Sequence, residues 1–152
     1  MTVTRELIDA IAADLDAESG LPRHQTIRYR RPIAILPEDC PLLVVWLMEK
    51  DSAPQTTVRF DSVLRLGVSW HEETVEQAKT LVVDEEAASS LMDAIEAIEA
   101  RARSWATSGL TNGPDGAWEL LPRRVEYIPP GEGSTGLTEG YGLMVEARIT
   151  EE

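Results

Sequence analysis

The sequence predicts an α+β fold: a mostly antiparallel sheet of about five strands, one of them very long, with two helices packed against it. Three observations lead there. In TTVRFDSVLRLGVSW the residues Val58, Phe60, Leu64, Leu66, Val68 and Trp70 share one parity, while Arg59, Asp61, Arg65, Ser69 and His71 share the other, a period that only an extended strand places on two faces. Two other segments repeat their apolar residues at helical spacing. The links between the strand-like segments are short, which favours antiparallel neighbours.

Taken in order, Val3, Leu7, Ile8, Ile11 and Leu15 define an amphipathic helix over residues 3 to 16. Glu6 and Asp9 suit its positive end, and Gly20 and Pro22 close the segment. His24 to Arg31 alternates Ile27 and Tyr29 with Arg28 and Arg30 before Pro32 interrupts it, which predicts an edge strand. After the turn-like PEDCP, the run Leu42 to Met48 reads as a strand covered on both faces, and KDSAPQ as the link into the long strand. That strand is expected over residues 57 to 71, at ~3.4 Å per residue some 45 to 50 Å, against a usual length of five or six residues. A strand of that length is expected to outgrow its own domain.

Ala88, Leu91, Ile95, Ile98, Ala102 and Trp105 mark the second helix, from Asp84 as N-cap to Thr107, with one narrow stripe facing the sheet. SGLTNGPDG is a loop, and Ala117 to Ile128 and Tyr141 to Thr150 form a closing hairpin-like pair. The connection between them, residues 129 to 140, is rich in glycine and is expected to project and to be mobile until another chain orders it.

Composition narrows the function classes. The chain has 152 residues, 43% of them hydrophobic, enough for one domain spanning 1–152 to bury about 70% of the surface its unfolded form exposes. The longest apolar run, LLVVWLM, falls far short of the ~20 residues of a membrane helix. An acidic, periodic N-terminus reads as a cytosolic start, without a signal peptide. The lone Cys40 excludes an internal disulfide. With 27 acidic against 14 basic residues, the formal charge is −13, which disfavours gripping nucleic acid or anionic lipid. Arginine outnumbers lysine twelve to two, and Arg23, Arg28, Arg30 and Arg31 lie close together. Such a cluster reads either as a solvated strand face beside acidic neighbours or as a docking patch for an acidic partner, a second copy included.

No catalytic signature matches these patterns in strength. Gly131, Gly133 and Gly136 show the G-x-G-x-x-G spacing, but two prolines precede it and a strand pattern follows, whereas a dinucleotide site needs a strand before and a helix after. WHEE at 70–73 lacks the second histidine of a zinc protease, and Glu72 and Glu73 would point to opposite sides of a strand. Ser134 has no nucleophile-elbow frame. The expectation is a protein that is not an enzyme and needs no cofactor or metal.

The order helix, strand, strand, long strand, helix, strand, strand, carried by the N-terminal helix, by VRFDSVLRLGVSW, by AASSLMDAIEAIEARARSWA and by YGLMVEARIT, resembles the tail terminator and neck proteins of long-tailed bacteriophages. The resemblance implies a structural virion protein of the tail or neck, assembled in the host cytoplasm. It further implies a hexameric ring that caps the tail tube, stops its polymerisation and joins it to the head-tail connector. Implied partners are the chain itself, the tail tube protein and the connector protein. DNA would enter only as a passing polymer repelled by an acidic wall, and no membrane is involved. The candidate subunit interface comprises Arg23, Arg28, Arg30, Arg31, Arg59 and Arg65. Two alternatives stand beside this reading: another neck or tail-completion protein, and a small acidic binding protein of the immunity-protein or antitoxin type.

Overall fold

A computed structural model describes residues 3–54, 60–73, 85–115, 117–130 and 138–151. Within them the chain runs α1 (Val3–Asp16), β1 (Gln25–Tyr29), a 3-10 turn (Pro37–Asp39), β2 (Leu42–Pro54), β3 (Phe60–Glu73), α2 (Glu85–Ser108), β4 (Ala117–Ile128) and β5 (Thr138–Glu151). The strands form one five-stranded sheet in the order β1-β2-β3-β5-β4. The expected α+β class is the observed one.

Alternation in β3 decides the layering. Leu64, Leu66, Val68 and Trp70 are fully buried and pack with Leu43 and Val45 of β2 and with Leu143, Val145, Ala147 and Ile149 of β5. Leu7, Ile11 and Leu15 of α1 and Leu91, Ile95, Ile98, Ala102 and Trp105 of α2 close the same core. Both helices therefore cover one face of the sheet, and in each the stripe read from helical spacing is buried at Leu7, Ile8, Ile11 and Leu15 of α1 and at Leu91, Ile95, Ile98, Ala102 and Trp105 of α2. Ser62, the polar exception in the apolar parity, is also buried and meets Ser52 Oγ across the strand pair at 3.0 Å.

The two helices are joined by one polar clamp. Asp14 of α1 accepts hydrogen bonds from Arg101 Nε (2.7 Å), Arg101 Nη2 (2.8 Å) and Trp105 Nε1 (2.8 Å) of α2. The Arg101 guanidinium, in first place, holds the Asp14 carboxyl below its ordinary range.

Three expectations are corrected. First, β1 pairs with β2 in parallel, Gln25 opposite Leu42 through Tyr29 opposite Trp46. Parallel neighbours need a crossover instead of a hairpin, and residues 30–41 provide it, crossing the sheet face away from the helices so that Ile35 is buried on Leu42 and Val44. Second, KDSAP is not a link: β2 continues to Pro54, paired with β3 as far as Phe60. Its polar residues hid the strand because a β-bulge between Leu47 and Glu49 shifts the register there. Third, β3 does not outgrow its sheet. It is 14 residues long, and each of them from Phe60 to Glu73 has a partner in β5, itself 14 residues long. The expected start of β3 at residues 57–59, the N-cap Asp84, and most of the 129–140 connection lie outside the described residues.

Candidate functional site

The face of the sheet away from the helices is covered only in part, by the 30–41 crossover. Along the strand axis it divides into three zones. At one end the 30–41 crossover roofs Leu42, Val44, Ser69 and His71, all buried. His71 Nε2 shares a 2.8 Å hydrogen bond with Ser69 Oγ. Burial, and secondarily the charge of Arg31, lower its pKa to about 4, so this imidazole is neutral near pH 7. Cys40, packed against the same cluster, has its thiol pushed up to about 11 by burial and by nearby carboxylates, which makes it a poor nucleophile.

The central zone is a recess of about 200 Å³. Gly67 and Gly142 form its floor, with Trp46, Met48, Ile128 and Met144 around it and Arg31 and Arg124 at the rim. Gly67 is there because the Trp46 indole lies flat across it: a Cβ at this position would sit 2.3 Å from the ring. The bulge in β2 adds Met48 on the same side, 53% exposed. Arg31 stacks over Trp46 with its guanidinium carbon 5.6 Å from the ring centroid. Arg124 pairs with Glu126 at 3.3 Å, both well exposed.

Beyond the recess, charges cross four strands. Arg65 of β3 meets Glu49 (3.0 Å) and Asp51 (3.1 Å) of β2 and Glu146 of β5 (3.8 Å). Glu146 also receives Arg123 of β4 (3.4 Å), and Arg148 bridges to Glu119 (2.9 Å). Each exposed pair contributes only ~0–1 kcal/mol, but together they give this zone a fixed pattern of alternating sign.

The arginines singled out in the sequence do not form one patch. Arg28 turns to α1, bound by Asp9 (3.2 Å) and Asp16 (3.9 Å). Tyr29, with φ +74°, also reaches Asp9 with its hydroxyl. Arg31 turns to the opposite face, over Trp46. Arg23 and Arg30 are exposed at the β1 edge, Arg65 anchors the charged zone, and Arg59 lies outside the described residues. Sequence reading missed the recess, although a lone glycine in a strongly alternating strand signals close approach of another group.

Among the described residues no group of three or more His, Cys, Asp or Glu is arranged to hold a metal ion, and no helix is long and apolar enough to cross a membrane. His24 is held by Asp16 Oδ1 (2.9 Å) and the Pro22 carbonyl (2.8 Å), edge-on to Trp70 at 4.9 Å. Glu72 contacts Ser90 Oγ at 3.3 Å; burial raises its pKa, with Trp70 and Ser90 acting in the opposite direction.

No protein-family model and no curated protein matches the chain. Among solved structures, a chain described as "Virion of native gene transfer agent (GTA) particle" is similar over 92% of this chain and 84% of that one, with 15% identity and a TM-score of 0.47. Likeness of that depth decides no role, and the uncovered face has to be interpreted through its own geometry.

Proposed function

We propose that the chain is a structural subunit of a bacteriophage-type virion, similar to a tail terminator, whose copies close into a ring of six on the end of the tail tube and meet the head-tail connector on the other side. The observation that carries the reading is the uncovered sheet face. It presents an apolar recess beside a charged zone, a surface built for contact, and the Ser69 to His71 hydroxyl–imidazole pair among its described residues is buried beneath the crossover instead of open to a substrate. The element order α1-β1-β2-β3-α2-β4-β5 accords with the resemblance drawn from the sequence.

Charge supports the same reading. A conduit must pass a polyanion without holding it, and a subunit of formal charge −13 lines such a channel with repulsion. Identical copies joined head to tail close when the rotation permits. Arg23, Arg30 and Arg31 then face acidic surface on the neighbour, setting register and salt sensitivity while apolar contacts supply most of the affinity.

Electron microscopy of purified protein mixed with isolated tail tubes tests the proposal. Six-fold rings seated on tube ends are the expected result. Bare tube ends, with the protein monomeric in the background, would eliminate it.

A further inference from the structure

From the recess we infer that a second copy of the chain docks on the uncovered face, seating there the outer surface of its α2 through Met92, Asp93 and Glu96. This rests on the ring reading and supplies its contact surface. Pockets for small ligands run to ~300–1,000 Å³, so a recess of about 200 Å³ suits an inserted side chain. Its walls include Met48 and Met144, flexible thioethers that mould to an incoming apolar group. Arg31 and Arg124 stand at the rim, on a molecule that is otherwise strongly acidic.

The complementary half lies on the opposite side of the sheet. Met92 is 50% exposed on α2, and Asp93 and Glu96 beside it are exposed too. Glu96, four residues on, is the neighbour of Met92 on the helix surface, and Asp93 lies about 100° around the helix in the same direction, so the apolar knob carries carboxylates along one side. Because α2 covers the other face of the sheet, knob and recess cannot meet within one molecule. A contact between them joins copies head to tail, the geometry that closes into a ring when the rotation permits and otherwise extends as a filament. At the rim Arg124 exchanges its exposed partner Glu126 for Asp93 or Glu96, and because Glu126 lines the same recess and repels the incoming carboxylates, the insertion of Met92 has to supply most of the contact energy.

Charge exchange tests this. Sedimentation velocity is recorded for the wild type, for Arg31→Glu/Arg124→Glu, for Asp93→Arg/Glu96→Arg, and for the protein carrying all four changes, with circular dichroism to confirm folding. Each double variant is expected to weaken association by roughly tenfold or more, and the quadruple variant to recover most of it. Met92→Ser, which leaves charge untouched, is expected to weaken it as well. Association unchanged in both double variants, or not recovered in the quadruple one, would overturn the docking mode. Rings persisting on tail tubes in those same variants would leave the ring reading standing without this contact. A wild type that stays monomeric at every concentration, with bare tubes, would remove both.

Discussion

Asp14 carries more of the helix pairing than its place on a charged helix suggests. Its side chain is only 8% exposed while it receives three hydrogen bonds from α2. Asp14→Ala leaves the Trp105 N–H without its acceptor and is expected to cost about 2–4 kcal/mol in denaturant unfolding, with the helices otherwise intact. His71 gives the molecule an acid limit. In the unfolded chain its pKa is ~6.5; in the fold it is about 4. The unfolded state thus binds the proton first, and stability contributed by the neutral ring is complete above pH ~6.5 and lost as pH falls toward 4, a difference of about 3 kcal/mol. The raised Glu72 carboxyl opposes this trend. Denaturation midpoints from pH 7 to 4 should therefore fall more steeply for the wild type than for His71→Gln; parallel curves would contradict the assignment. The role of Asp14 was not legible in the sequence because its partners lie on another helix, and that of His71 was not because its burial comes from the crossover packed over it, which its near neighbour Ser69 does not announce.

At the scale of elements, periodicity revealed faces reliably and neighbours poorly. In α1, α2, β3 and β5 the stripes read from the sequence are buried at Leu7 and Ile11, at Leu91 and Ile98, and at alternate residues from Leu64 to Trp70 and from Leu143 to Ile149. Leu66→Asp places an unpaired carboxylate in the fully buried core and is expected to abolish folding, since a cost of several kcal/mol compares with a total stability of roughly 5–15. Arg65→Ser loses only surface ion pairs and should shift the unfolding midpoint little. Equal loss of folded protein in both would refute the facing. The parallel pairing of β1 with β2 was illegible because alternation is identical in either direction. The recess was illegible because it depends on Trp46 lying over Gly67, a contact across two strands. Gly67→Ala must displace that indole, and we expect a loss of ~1–3 kcal/mol together with a reshaped recess, seen as altered Trp fluorescence.

For the whole molecule, the two sides of the sheet carry different chemistry: a knob of Met92 with acidic neighbours on one, and an apolar recess rimmed by Arg31 and Arg124 on the other. That asymmetry, more than the length of β3, is the observation on which the proposed head-to-tail ring rests, because β3 is fully matched by its neighbours in the sheet. Net charge was legible from composition alone, whereas the placement of opposite surfaces required the fold. The most direct measurement is disulfide trapping in a Met48→Cys/Met92→Cys protein. Cys40, with its raised thiol pKa and partial burial, is a slow competitor. Oxidation of the associated protein is expected to give a ladder of covalent species on non-reducing gels that ends at six. Covalent dimers alone, or a yield no greater than that of a Met48→Cys/Ser19→Cys control, would contradict the account.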